Sequence, residues 1–253
     1  MGFRRVMRRT LALLGVLGLA ACGSHFHPET YPTPDALYAA SIERFQAGEC
    51  GDARRGLTRL GFELPAADPR QPDIRFYLAE CLFKDGAYLE ASREFRRVAD
   101  EHPDHERAPA ALLRSGESLA RLWKGPDLDP TYGQQALATF RELLARYPQS
   151  DAARAARDRV TDLVDKFALK DIRTGDFYFK LHAYDSAILY YRMVIQQWPD
   201  TRLAPRALLR LVAAYRQIDY DEEIRETCEH LRRFYPDQPG LNAQCPASGA
   251  SAP

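Results

Sequence analysis

Few residues of this 253-residue chain have the types and spacing of reaction chemistry. Of the six histidines, His25 and His27 lie in a polar stretch, His102 and His105 flank Pro103-Asp104 in a turn, and His182 and His230 stand apart. These read as solvated surface residues. With no C-x2-C and no His/Cys cluster, zinc is not expected. No G-x-S-x-G, H-E-x-x-H or phosphate-binding loop occurs. Carboxylates such as Asp171 and Glu222-Glu223 fall on solvent faces without an acid/base partner. The aromatic set Phe167, Phe177, Tyr178, Phe179, Tyr184, Tyr190, Tyr191 and Trp198 has helical spacing and reads as core before it reads as a ligand box. Some of the doubled aromatics, Phe177-Tyr178 and Tyr190-Tyr191, must still point outward. The sequence thus predicts no catalytic residue, no metal and no cofactor, and a chain that is not an enzyme.

One thiol is different. The first ten residues carry Arg4, Arg5, Arg8 and Arg9 and no acid, and an apolar run follows over 11–21. That run is too short to span a bilayer and reads as a signal peptide, 1–21. Its end, Leu19-Ala20-Ala21-Cys22, resembles a lipobox, in which Cys22 takes a diacylglycerol and becomes the new N-terminus. Buried acyl methylenes contribute ~0.8 kcal/mol each, so two or three chains anchor the protein stably. Gly23 follows where sorting analogy reads the absence of Asp as an outer-membrane address. Loss of the signal removes four of 35 basic and none of 35 acidic residues, leaving 31 against 35, a net of −4. With no basic patch, a nucleic-acid partner is not expected.

The elements that follow are helical. The pattern Ala-x3-aromatic/apolar-x2-apolar-x4-Pro occurs at Ala53, Leu57, Leu60, Pro65, then at Ala91, Phe95, Val98, Pro103. It returns at Ala136, Phe140, Leu143, Pro148 and at Ala187, Tyr191, Val194, Pro199, with a degenerate copy at Ile224, Cys228, Leu231, Pro236. The prolines recur at roughly the tetratricopeptide (TPR) period of about 34 with insertions. Gly48 and Gly86 mark inter-helix turns, and His182 replaces that glycine in the fourth copy, where a turn of another type is expected. The fold class is all-α: an α-solenoid of about five TPR-like hairpins in a right-handed superhelix. Expected helices cover about 35–48 and 51–63, 71–85 and 87–101, 107–123 and 132–146, 150–180 and 183–197, 203–217 and 220–234. Ser150 caps the unusually long seventh. The solenoid is expected over 35–237, N-terminal repeats over 35–148 and C-terminal repeats over 150–237. A polar tether over 22–34 precedes it and a flexible tail over 238–253 follows.

Four further cysteines, Cys50, Cys81, Cys228 and Cys245, fit an oxidising compartment and allow three pairings. Position in the repeats points to Cys50–Cys81 and Cys228–Cys245 as the pairs, with buried or free thiols as the alternative.

Signal, lipobox, tether and five hairpins together resemble the BamD family of outer-membrane assembly lipoproteins. The carrying residues are Asp127-Leu128-Asp129-Pro130-Thr131 with Ala136, Phe140, Leu144 and Tyr147-Pro148-Gln149-Ser150, then Tyr184, Ala187, Trp198-Pro199-Asp200-Thr201, Ala207-Leu208 and Ala214-Tyr215. His182, the extra cysteines and Trp198 depart from the family's pattern. The resemblance implies a scaffold on the periplasmic face of the outer membrane. Its implied partners are a BamA-like barrel subunit, met through its POTRA domains, other assembly-machine lipoproteins and unfolded outer-membrane proteins. Repeat geometry then nominates Asp35, Tyr38, Ile42, Asp73, Phe76, Glu80 and Lys84 for the substrate groove. Arg154, Arg157 and Asp158 on the long helix, with Arg202, Arg206 and Arg210 at spacing four, are nominated for partner docking. The competing expectation is another periplasmic TPR adaptor lipoprotein, in cell-wall synthesis or division.

Overall fold

The computed structural model describes residues 26–246, so the signal segment and Cys22 lie outside the described residues. Eleven α-helices and two 3-10 turns occur among them, and no strand. The chain divides into two compact units, one ending at Pro65 and one beginning at Ala66.

The first unit is the hairpin of α1 (Pro34–Gln46) and α2 (Cys50–Glu63). Thr33 caps α1 by accepting from the Ala36 amide at 3.2 Å. Ala53, Leu57 and Leu60 of α2 are fully buried, as the repeat pattern requires. The segment ahead of α1 is not a free tether from Phe26 onward: Phe26 is 3 % exposed and residues 28–30 form a 3-10 turn.

The second unit pairs α3 (Gln71–Lys84) with α4 (Tyr88–Glu101), α5 (Ala108–Leu122) with α6 (Thr131–Arg146), α7 (Asp151–Lys180) with α8 (Tyr184–Gln197), and α9 (Ala204–Tyr215) with α10 (Asp221–Phe234). Each hairpin also packs on the next, through α4 on α5, α6 on α7 and α8 on α9. The buried positions are those of the repeat: Phe95, Val98, Phe140, Leu143, Tyr191, Val194 and Leu231 are fully buried. A large residue on one helix needs a small one on its mate. A Cβ added to Gly116 would stand 2.5 Å from the Phe140 ring, and one added to Gly175 would stand 2.5 Å from the Tyr191 ring.

The turns at Gly48, Gly86 and His182 share one geometry, which corrects the expectation of another turn type at His182. Gly48, Gly86 and His182 all have left-handed backbone, with φ of 83°, 80° and 58°. In each, the next amide reaches back over the last helical turn: Glu49 to Arg44 O, Ala87 to Leu82 O, Ala183 to Tyr178 O. That closure satisfies carbonyls left over at a helix end. His182 tolerates it while its Nδ1 shares a 2.7 Å hydrogen bond with the Tyr184 hydroxyl.

Two further expectations change. Residues 238–246 are not part of a flexible tail: α11 (Leu241–Gln244) buries Leu241, and Cys245 is disulfide-bonded to Cys228 with Cα atoms 5.5 Å apart. Arg232 donates to the Cys245 carbonyl at 2.8 Å and fixes the same end. Cys50 and Cys81, which the sequence pairs, lie one in each unit, and both are buried thiols there.

Two substitutions test these contacts with opposite signs. Gly175→Ala gains helix propensity but forces the fully buried Tyr191 ring to move, and the clash dominates at about 1–2 kcal/mol of lost stability. His182→Gly relieves a left-handed non-glycine residue and should gain about 0.5–1 kcal/mol after the ring bond is lost. Chemical denaturation of the two variants reads both; equal signs would contradict the packing described.

Candidate functional site

The face expected to form the substrate groove is closed by ion pairs. On α3, Asp73 accepts from Arg107 Nε at 2.6 Å, and the same guanidinium donates to the Tyr77 hydroxyl at 3.0 Å while lying 5.3 Å over the Phe76 and Tyr77 rings. Two turns on from Asp73, Glu80 takes a two-pronged bond from Arg114 at 2.5 and 2.7 Å. Arg114 stacks 3.9 Å over Phe83 and also pairs with Glu117 at 2.8 Å. Glu117 is paired in turn with Arg159 at 2.9 Å. A charge ladder therefore runs from α3 through α5 to α7. Phe76 is 8 % exposed with its ring 5.3 Å from that of Phe95, so it is core and not groove, which corrects its nomination. Lys84 is exposed at the end of α3. In the first unit Asp35 is exposed, and Tyr38 and Ile42 are half-buried on α1.

The docking candidates separate in the same way. Arg154 pairs with Asp151 in the first turn of α7, Arg157 donates to the Pro148 carbonyl at 3.3 Å, and Asp158 is exposed. Arg157 also lines a groove of ≈ 540 Å³ with Arg141, Leu144, Val160 and Trp198. Arg202, in the turn before α9, and Arg206 and Arg210 on α9 are instead bound to α7. Asp165 accepts from the Arg202 side chain and from its backbone N–H at 3.0 Å, and from the Thr201 hydroxyl at 2.7 Å. Asp176 faces Arg206 at 3.8 Å and Arg210 at 3.1 Å and accepts from the Tyr191 hydroxyl at 2.8 Å. Burial pulls the Asp165 carboxyl upward, but the donors from Thr201 and Arg202 outweigh it and hold it below the usual carboxylate range.

What stays open is apolar. Phe177 and Leu181, one turn apart at the end of α7, are 57 % and 59 % exposed, and Leu189 on α8 is 58 % exposed. Tyr178 and Tyr190 stack beside Phe177 with centroids 5.4 Å apart. Of the doubled aromatics, Phe177 turns outward and Tyr191 inward. Leu181 and Leu189 are not among the residues that sequence reasoning nominates. The signal that could have found Leu181 is its i, i+4 spacing from Phe177, off the Ile172–Gly175–Phe179 stripe.

Among the described residues no group of three or more His, Cys, Asp or Glu could hold a metal ion, and no helix is long and apolar enough to cross a membrane.

Two outcomes are expected of these ion pairs. Glu80→Ala leaves Arg114 partly buried without its two-pronged acceptor and should cost about 2 kcal/mol by chemical denaturation; a loss near zero would show the ladder to be decorative. Asp165, lower in the folded than in the unfolded chain, contributes stability that is present above the unfolded carboxylate value and is lost as pH falls through its folded value. Asp165→Asn should therefore flatten the acid limb of a pH–stability curve, and an unchanged limb would contradict the pairing.

Comparison with known proteins agrees with this architecture. The family model YfiO, described as outer membrane lipoprotein, matches residues 31–231. The chain is 35 % identical over 229 residues to the outer membrane protein assembly factor BamD of Vibrio cholerae serotype O1, covering 85 % of this chain and 94 % of that one. It is 29 % identical to the protein of the same name from Neisseria gonorrhoeae, covering 62 % of this chain and 61 % of that protein. A TPR repeats protein from Bacteroides fragilis superposes with a TM-score of 0.50 at 11 % identity, over 84 % of this chain and 96 % of that one, a likeness of fold alone. With the family model spanning every hairpin up to the last turn of α10, the chain belongs to the YfiO family of outer membrane lipoproteins, the family of BamD.

Proposed function

We propose that this chain is a non-catalytic scaffold of outer-membrane protein assembly, held on the periplasmic face of the outer membrane by a lipid on Cys22. The observation that carries the reading is the family match over 31–231, which takes in nearly the whole hairpin region. In this reading the C-terminal hairpins dock on the POTRA domains of a BamA-like barrel subunit, and the N-terminal hairpins receive unfolded outer-membrane proteins. Other assembly-machine lipoproteins complete the partner set, and nucleic acid has no place in it.

The docking surface favoured here is the apolar end of α7 and α8, not the arginine row at and before the start of α9. Arg202, Arg206 and Arg210 already have carboxylate partners, so recruiting them for a partner would break contacts between α7 and α9. Phe177, Leu181 and Leu189 are large, exposed and next to stacked tyrosines, the composition of a binding hot spot. Arg154 and Asp158, in the first turns of α7 and about 30 Å along the helix from Phe177, lie outside that surface.

Two measurements address the two parts. Cys22→Ala should move the protein from the membrane fraction to the soluble periplasm, and continued membrane fractionation would count against the anchor. Phe177→Ser/Leu181→Ser/Leu189→Ser removes side chains that are each more than half exposed and should lower co-purification of the barrel subunit about tenfold or more. Undiminished recovery of that subunit by a folded triple variant would place docking elsewhere.

A further inference from the structure

The chain leading from Cys22 docks earlier than a tether would. The Phe26 ring lies 5.5 Å from that of Tyr31 and 5.7 Å from the Arg44 guanidinium, and its carbonyl accepts from Arg55 at 3.3 Å. Its seat is cut by a glycine of α2: a Cβ on Gly56 would meet Ser41 Oγ at 2.0 Å and the Phe26 ring at 3.1 Å. Four peptide steps separate Phe26 from Cys22, a reach of about 14 Å at full extension. If Cys22 sits in the bilayer, as the proposed function holds, the Phe26 seat cannot stand farther than that from the headgroups. The protein surface around the seat then faces lipid.

That surface is an open depression of ≈ 730 Å³ in the first unit, lined by Pro28, Glu29, Arg54, Arg55, Arg59 and Phe62 among others. Phe62 is 85 % exposed, more than any other exposed large apolar side chain among the described residues. Arg55 pairs with Asp52 at 2.6 Å and Arg59 with Glu63 at 2.7 Å. The charge alternates in sign instead of adding up. A purely anionic surface would be matched poorly by it, whereas a headgroup carrying both a phosphate and an ammonium complements it. An aromatic side chain among arginines with long apolar stems is also the composition that settles at a membrane interface.

We propose that the outer face of α2 is a lipid-contacting surface for zwitterionic phospholipid headgroups, with phosphate on Arg54, Arg55 and Arg59, ammonium on Glu29 and Glu63, and Phe62 at the acyl boundary. The proposal rests on the lipid anchor at Cys22 and adds to it an orientation: the first hairpin lies on the bilayer and does not swing beneath it.

The test uses the lipidated full chain with Phe62→Trp, reconstituted in phosphatidylethanolamine/phosphatidylcholine vesicles, with and without bromine on the acyl carbons nearest the headgroup. Emission of the parent, from Trp123 and Trp198, is subtracted. The added emission should fall roughly twofold in brominated vesicles, and Arg54→Glu/Arg59→Glu in the same background should restore most of it. Vesicle flotation reports the anchor separately. A chain that floats but whose added tryptophan is not quenched overturns the lipid contact and leaves the anchor standing. The lipid contact is equally overturned if that emission responds only to an added protein partner. A chain that does not float overturns the anchor and the proposal with it.

Discussion

The second unit depends on a stack of three rings. Phe167, near the middle of α7, lies between Trp123 at 4.5 Å and Trp198 at 4.9 Å, the latter within 11° of parallel. Trp123 ends α5 and Trp198 ends α8, so one side chain of α7 ties the hairpin before it to the hairpin it opens. The surroundings hold the rings in place. Lys166 donates to the Trp123 carbonyl at 2.6 Å with its ammonium 4.3 Å over the indole, and the Trp198 indole N–H donates to Asp171 at 2.9 Å. Burial lowers the Lys166 pKa and raises that of Asp171, the Trp198 hydrogen bond opposing the second shift. Gly133 supplies the space: a Cβ there would stand 2.3 Å from the Trp123 ring. A helix of 30 residues, about 45 Å long, can then serve two hairpins without a break.

A second constraint sorts the surface. Many arginines of this unit are taken up in bridges between helices: Arg107 and Arg114 join α5 to α3, Arg159 joins α7 to α5, and Arg206 and Arg210, with Arg202 in the turn before them, join α9 to α7. Partly exposed pairs of this kind contribute little singly, and more where the geometry is two-pronged and stacked on a ring, as at Arg114. Their effect on function is indirect. Charge occupied in holding neighbouring helices is not available to a partner, and recognition falls to the apolar positions that the core does not need, at the end of α7 and on α8.

Much of this was legible in the sequence because it is periodic. The Ala-x3-aromatic-x2-apolar-x4-Pro copies pick out fully buried residues, and the expected helix ends fall within a few residues of Pro34–Gln46 through Asp221–Phe234. What was not legible is non-periodic. The ion pairs join residues such as Arg114 and Glu80, 34 apart, or Arg202 and Asp165, 37 apart, and a linear sequence does not announce such meetings. A left-handed histidine is invisible because His182 fits the turn only at an energetic cost that the turn hydrogen bonds outweigh. A repeat template misplaces Phe76 because it has no knowledge of the Arg107 lid above it. The order of residues 238–246 is hidden because it rests on single contacts, Cys228–Cys245 and Arg232, within a stretch of low apolar content.

The most direct measurement of whether α7 joins the hairpins through this stack is amide hydrogen exchange on the full chain with Phe167→Ala. Removing the middle ring should lower protection in α5 and in α8 together, since both end on it. Loss of protection confined to the few turns of α7 around residue 167, with α5 and α8 unchanged, would contradict it.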